Sequence, residues 1–398
     1  MGFHIATPEQ IKAGAVSDVY FQRSAAILDA KGIDAHVRAE FTAKSLPDGW
    51  EWAVFAGMAE VEHLLEGNKV NVRAMREGEI FRPLEPVLEI EGSYREFGVY
   101  ETAVLGLICQ ASGIATRAAR CRLAAGPDRK LISFGARRMH PTLAPMIERA
   151  AYIGGCDGVA AVASAELLGI EPVGTIPHAL VLAMGDTILA TQAFDEVIDE
   201  KVPRIALVDT FSDEKFAAIA VAEALGDRIA ALRLDTPASR RGDFYDILAE
   251  VRWELDLRGY TDVDLFVSGG IDENAIRELN PMVNGYGVGT WISAAPIIDF
   301  AMDIVEVDGE PTAKRGKWSG AKQVLRCVGC IEDDIVALSQ SAEWPDRCPD
   351  CGSEVEALLG ESMQNGRSAG PPLDPGAIRE RTLARLRGFE TDWEDEPQ

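Results

Sequence analysis

Apolar and polar side chains alternate with a period of two in Pro86-Val87-Leu88-Glu89-Ile90-Glu91, which predicts a strand with one buried face. Val104, Leu107, Ile108, Ala111, Ile114 and Ala118 then recur at helical spacing and predict an amphipathic helix, closed by the break Gly126-Pro127. Beyond residue 130 the texture changes. Short apolar runs occur at 131–134, 158–162, 173–176, 205–208, 229–234, 265–267 and 286–288, with helix-like stretches such as 214–225 between them. Strands alternating with helices over this length predict a parallel sheet. Seven candidate strands fall short of the eight of a closed barrel. The expected fold is therefore α/β, an irregular or incomplete TIM-like barrel behind an N-terminal α+β domain.

The ends of the predicted strands carry the chemistry. In order they read Phe134-Gly135-Ala136-Arg137-Arg138, Pro177-His178, Asp209-Thr210, Arg233-Leu234-Asp235, Ser268-Gly269-Gly270 and Gly287-Val288-Gly289-Thr290. In an α/β barrel such ends open onto one face, where active sites form, and the last two loops commonly hold a phosphate. Glycines there let backbone N–H groups approach an oxyanion, although tight turns also call for glycine. Arg233 and Asp235 share a face of a regular strand, so they suit an anion and a sugar hydroxyl or metal-bound water, or form a strand-end salt bridge with each other. Asp209 fits the same site or caps the following helix. His178, one of five histidines, has the chemistry of a proton carrier or of a phosphorylated intermediate.

Charge limits the partners. With 39 basic and 64 acidic residues the chain carries −25, a field that repels nucleic acid and anionic membranes. Arginine outnumbers lysine 29 to 10, which together with the dispersed acids suggests a salt-adapted, haloarchaeal surface, or else a merely acidic mesophilic one. No uninterrupted apolar run reaches about 18 residues, so no transmembrane helix is predicted. The first residues lack the order of a signal peptide, and Ala6 stands where a myristoylation motif has Ser or Thr. A cytoplasmic protein is expected.

The ordered set Ser17-Asp18-Val19-Tyr20-Phe21, Phe134 to Arg138, Gly174-Thr175-Ile176-Pro177-His178, Leu207 to Thr210, Arg233 to Asp235 and Ser268 to Gly270 resembles nicotinate phosphoribosyltransferases, in particular their archaeal branch, from residue 1 to about 350. The resemblance implies transfer of phosphoribose from phosphoribosyl pyrophosphate to nicotinate, coupled to ATP, with Mg²⁺ at the donor, in NAD synthesis. It implies that Phe134 stacks on one face of the pyridine ring and Tyr20 of a neighbouring subunit on the other, so that the enzyme is a homodimer or larger. Arg137 and Arg138 would hold anionic groups, His178 would be phosphorylated, and Asp209, Arg233 and Asp235 would hold the donor and its metal. Ser268, Gly269, Gly270, Gly287, Gly289 and Thr290 would cradle the 5-phosphate, and Asp157 would contact or back the base. Quinolinate or nicotinamide as acceptor, and a non-catalytic zinc-ribbon binding protein, are the alternatives.

Cys327-Val328-Gly329-Cys330 and Cys348-Pro349-Asp350-Cys351 form two knuckles spaced for a closed, structural zinc site. Cys109, Cys121 and Cys156 stand alone in apolar surroundings and are expected to be buried thiols. Lys314-Arg315-Gly316-Lys317 is the densest basic run and either stays solvated or reaches the nucleotide phosphate. The expected domains are an N-terminal α+β domain at 1–115, the barrel at 116–300, a return segment at 301–325 packing on the N-terminal domain, a zinc ribbon at 326–356, and a linker, short helix and acidic tail at 357–398.

Overall fold

The structure, a computed structural model, describes residues 2–240, 242–330, 334–338, 345–371 and 373–389. It divides into two compact units, one built from Met1–Thr116 with Pro296–Gln398 and the other from Arg117–Ala295.

The first unit is organised by a seven-stranded antiparallel sheet. Its order is Glu310–Pro311, Phe300–Val307, His36–Ala43, Pro86–Ser93, Val70–Ala74, Gly360–Gln364 and Arg367–Ser368. The alternating segment at 86–91 is a strand as expected, but its acids do not all face water. Glu89 is only 2% exposed, because Arg38 and Arg73 reach its carboxylate at 2.6 and 3.2 Å. A buried charge is tolerable when so paired. The predicted helix is Glu101–Ala125, ending immediately before Gly126. Tyr94–Ala125 is long and apolar enough to cross a membrane by length and composition, yet its Val104 and Ile108 are buried in the core cluster with Phe55, Leu64 and Phe300.

Two expectations for the C-terminal part change. Residues 360–364 are not linker; they pair with Val70–Ala74 and bury Met363 at 1% exposure. The helix beyond them is Pro375–Leu386, N-capped by Asp374, and most of the acidic tail lies outside the described residues. The basic run is neither free nor solvated throughout. Lys314 and Lys317 each place Nζ 2.6 Å from the buried carboxylate of Asp303. Burial pushes that carboxyl up, and the two lysines outweigh it, so Asp303 lies below the ordinary range.

Lys322–Cys327 leads into the cysteine module, where it pairs antiparallel with Ile335–Leu338 and Val355–Ala357. Arg326, 3% exposed, binds Glu79 at 2.7 Å and Asp334 more closely still. Arg385 reaches the same Glu79 at 2.8 Å. Burial first, and then the Asp334 charge, push nearby Glu85 up to about 8.

The second unit holds a six-stranded sheet with every pair parallel. Its order is Gly158–Val159, Lys130–Ser133, Gly285–Val288, Asp264–Ser268, Ala231–Leu234 and Ile205–Leu207. Neighbouring strands follow chain order around an arc that opens between the second and third strands, a half-barrel. The seventh predicted strand, 173–176, belongs in that opening but does not form a strand. Val173 N–H donates to Val159 at 2.8 Å; Pro172 and Pro177 lack the N–H groups a ladder needs on either side. Apolar periodicity alone cannot register that loss.

Candidate active site

The C-terminal ends of the parallel strands converge as the sequence predicts. A cavity of about 500 Å³ is lined there by Phe134, Arg137, Arg138, Arg233, Asp235, Ser268, Gly269, Gly270, Gly287, Gly289 and Thr290. A larger groove of about 750 Å³ in the first unit has a different character. There Glu62 is engaged by Ser362 and Ser368, and none of the strand-end motifs contributes to it.

Two glycines make the cavity possible. A Cβ on Gly287 would lie 2.3 Å from the Phe134 ring, so this position is what admits the ring. Gly269 has φ +86°, and a Cβ there would meet Asp235 Oδ1 at 2.7 Å. An L side chain is therefore disfavoured twice at Gly269, by backbone conformation and by contact. Phe134 is a half-buried part of the cavity lining, with the Arg233 guanidinium 5.7 Å from its ring centroid.

Asp235 is held rigidly. Ser268 Oγ donates to its Oδ1 at 2.8 Å, and Arg233 Nη2 donates to its Oδ2 at 2.9 Å. Arg233 also donates through Nε to Ser268 Oγ at 3.0 Å and through Nη1 to Thr175 Oγ1. Its three nitrogens are all engaged. Arg233 and Asp235 thus form the strand-end salt bridge that the sequence offered as one alternative, and both line the cavity.

His178 opens the helix His178–Met184 after Pro177 and does not end a strand. Its Nδ1 lies 3.0 Å from Thr210 Oγ1. Its Nε2 lies 3.6 Å from both Asp209 Oδ2 and Asp235 Oδ2. Asp209 does not cap the next helix, a task that falls to Asp213. Its side chain is 1% exposed, and neither carboxylate oxygen has a hydrogen-bond partner among the described residues. Burial raises its carboxyl above the ordinary range; a charged His178 opposes this and the Asp235 carboxylate adds to it. A buried carboxylate beside a second carboxylate is a place for a cation or an imidazolium.

Asp157 lies elsewhere. It precedes the strand Gly158–Val159, at the N-terminal rim, where its Oδ2 accepts from Leu131 N at 2.8 Å and from Arg122 Nη2 at 2.5 Å. Those bonds latch the start of two strands. Tyr20 belongs to the first unit, on the helix Val19–Lys31, and is 55% exposed. Sequence reasoning missed Arg117, Asp272 and Trp291, which also line the cavity.

The four module cysteines come together, with all four Sγ atoms within 4.8 Å of one another. Cys327 Sγ accepts from the N–H groups of Gly329 and Cys330 at 3.2 and 3.3 Å.

Similarity to known proteins agrees with this geometry. The family descriptions "Quinolinate phosphoribosyl transferase, N-terminal domain" and "C-terminal domain" match residues 18–112 and 114–303. The nicotinate phosphoribosyltransferase pncB2 of Mycobacterium tuberculosis is 30% identical, over 81% of this chain and 76% of its own length. The chain belongs to the nicotinate phosphoribosyltransferase family. The pncB1 protein of the same organism is 35% identical over 71% of this chain, which spans 66% of that relative's length. A crystal structure described as nicotinate-nucleotide pyrophosphorylase from Pyrococcus furiosus superposes with a TM-score of 0.94 at 52% identity, covering 98% of this chain and 99% of that one.

Proposed function

We propose that this protein transfers the phosphoribosyl group of phosphoribosyl pyrophosphate to nicotinate, forming nicotinate mononucleotide and pyrophosphate for NAD synthesis. The observation that carries this reading is the single cavity in which Phe134, Arg137, Asp235 and two glycine loops meet, in a chain similar to curated nicotinate phosphoribosyltransferases.

Breaking the C1–pyrophosphate bond builds positive charge on the ribose, so the site has to position two reactants and neutralise a leaving group. Phe134 offers a flat apolar face for the pyridine ring. Arg137 and Arg138, both exposed at the mouth, supply cations for the nicotinate carboxylate and the donor. The loops of Ser268 to Gly270 and Gly287 to Thr290 offer backbone N–H groups to the 5-phosphate. Asp209 and Asp235 fit Mg²⁺, because both carboxylates lie 3.6 Å from one His178 nitrogen, Asp209 is buried with no side-chain donor on it, and Mg²⁺ takes one or two carboxylates plus substrate phosphates. When bound, that ion supplies charge neutralisation to the departing pyrophosphate. Asp235 has its position fixed for this by Arg233 and Ser268.

The same reading makes His178 the acceptor of the γ-phosphoryl group of ATP, with ADP released and the phosphohistidine later hydrolysed. His178→Ala is expected to keep a measurable transferase rate while losing at least about tenfold of the ATP stimulation. ATP stimulation equal to wild type would remove His178 from the mechanism.

The four cysteines fit structural Zn²⁺, for they are four soft ligands at closed, tetrahedral spacing. Exposed Tyr20, Val19 and Ile27 on one helix, beside an apolar groove of about 390 Å³ that includes Leu28, Val37 and Tyr94, support a homo-oligomer in which Tyr20 serves a neighbouring site. Sedimentation as a 43.0 kDa monomer would oppose it. The acidic, arginine-rich composition supports a cytoplasmic, salt-adapted enzyme.

The family description that names quinolinate gives a second reading. One assay separates them: nicotinate, nicotinamide or quinolinate offered with donor and Mg²⁺, with and without ATP, at low salt and in molar KCl. Nicotinate is expected to be preferred, with higher activity in KCl. Mononucleotide from quinolinate alone, with CO₂ release, would overturn the first reading, and indifference to KCl would remove salt adaptation.

A further inference from the structure

Residues 170–177, which lead into His178, form no strand, so no ladder of backbone hydrogen bonds sets the direction of its ring. Side chains take over that task. Thr175 Oγ1 accepts from Arg233 Nη1, and His178 Nδ1 lies 3.0 Å from Thr210 Oγ1. Among the described residues, the second of these is the one hydrogen bond to the imidazole.

The neighbouring carboxylates do not replace it. Asp209 Oδ2 and Asp235 Oδ2 both stand 3.6 Å from Nε2, beyond the about 2.7–2.9 Å of a charge-assisted hydrogen bond. Two equal, long contacts attract the ring without choosing its rotation. The His178 side chain is 38% exposed, so packing alone does not fix it either. Thr210 directly follows Asp209, just past the strand Ile205–Leu207, and the sheet therefore places its hydroxyl. A hydroxyl suits an imidazole that changes state. It accepts from a ring N–H and donates to a bare ring nitrogen, so the bond survives a change of tautomer.

We infer that Thr210 is the positioning residue for His178 and aims the imidazole at the phosphoryl group it accepts. This rests on the phosphohistidine reading and deepens it. In that transfer the lone pair of a ring nitrogen attacks the γ-phosphorus of ATP. The bond to the bridging oxygen breaks, its electron pair leaves with ADP, and the ring proton stays on the other nitrogen. Attack needs a near in-line approach, so a ring free to rotate reacts more slowly.

The test is rapid-quench labelling of wild type, Thr210→Val and Thr210→Ser with ATP radiolabelled at the γ-phosphate, reading acid-labile protein label. Valine keeps the shape and loses the hydroxyl; serine keeps the hydroxyl and loses the methyl. Thr210→Val is expected to form phosphoenzyme about tenfold more slowly, the scale of one hydrogen bond. Thr210→Ser is expected to stay within about threefold of wild type, with all three thermal melts alike. Labelling of Thr210→Val at the wild-type rate, or equal losses in Thr210→Val and Thr210→Ser, would overturn the inference and leave His178 as the acceptor. A wild type that takes up no label would remove Thr210 and His178 together, while mononucleotide formation from nicotinate is judged by its own assay. If Thr210→Val fails to fold, Thr210→Ala is read against Thr210→Ser by the same rates.

Discussion

Asp235→Asn is expected to lower kcat for mononucleotide formation by about 10³, the scale on which electrostatic groups at developing charge act. The amide is close in shape to the carboxylate. Its one oxygen still accepts from Arg233 Nη2, which binds Asp235 at 2.9 Å, while its NH2 donates to Ser268 Oγ, reversing the 2.8 Å bond that Ser268 makes to Asp235. What the variant loses is one negative charge beside His178 and the buried Asp209 carboxylate. The cation that this pair would hold is then weakly bound, and the pyrophosphate leaves without full neutralisation. The Michaelis constant for nicotinate should change little, because Phe134 and the mouth arginines are untouched. Initial rates with both substrates varied, together with a thermal melt, read all of this. A loss below about tenfold in kcat, with an unchanged melt, would place the essential charge elsewhere.

Much of this site is legible in the sequence because the chemistry sits at strand ends, and strand ends are punctuated. Ser268-Gly269-Gly270 and Gly287-Val288-Gly289 stand out since only glycine tolerates the positive φ of Gly269 or the Phe134 ring against Gly287. The opening of the half-barrel at 173–176 was hidden, because an apolar run reads as a strand whether or not flanking prolines can donate. Gly360–Gln364 resembled a linker for the opposite reason. Its pairing partner, Val70–Ala74, lies nearly three hundred residues away, and local pattern carries no record of such contacts. Arg117 gave no signal at all: in a helix sequence an arginine that stacks on Trp291 looks the same as one facing water. An acid beside a strand, as at Asp157, is equally suited in sequence to a base pocket and to the N–H of Leu131, from which it accepts.

Stripping zinc from the cysteine module is the second large effect expected, and it should appear in stability before it appears in chemistry. A tetrahedron with Zn–S bonds of about 2.3 Å has sulfur–sulfur edges of about 3.8 Å. In the structure Cys327 and Cys351 are 3.3 Å apart and Cys330 and Cys348 are 3.5 Å apart, close to that figure. The module has little core to replace the metal: of its four cysteines only Cys348 is buried, and a segment this short cannot bury enough apolar surface to fold by itself. Cys348→Ser is therefore expected to bind no zinc and to unravel the strands around it. The strand Lys322–Cys327 carries Arg326 directly before the first ligand, and opening the module withdraws Asp334 from it. Breaking so buried a pair costs about 3–5 kcal/mol. The melt of the first unit should fall, and limited proteolysis should cut between residues 327 and 351. The cavity residues all belong to Arg117–Ala295, so kcat at low temperature should hold within about threefold. Metal analysis of the native protein is expected to give one zinc per chain. A metal-free chain with the native melt and the native cleavage pattern would show that the four thiols hold the module together without an ion.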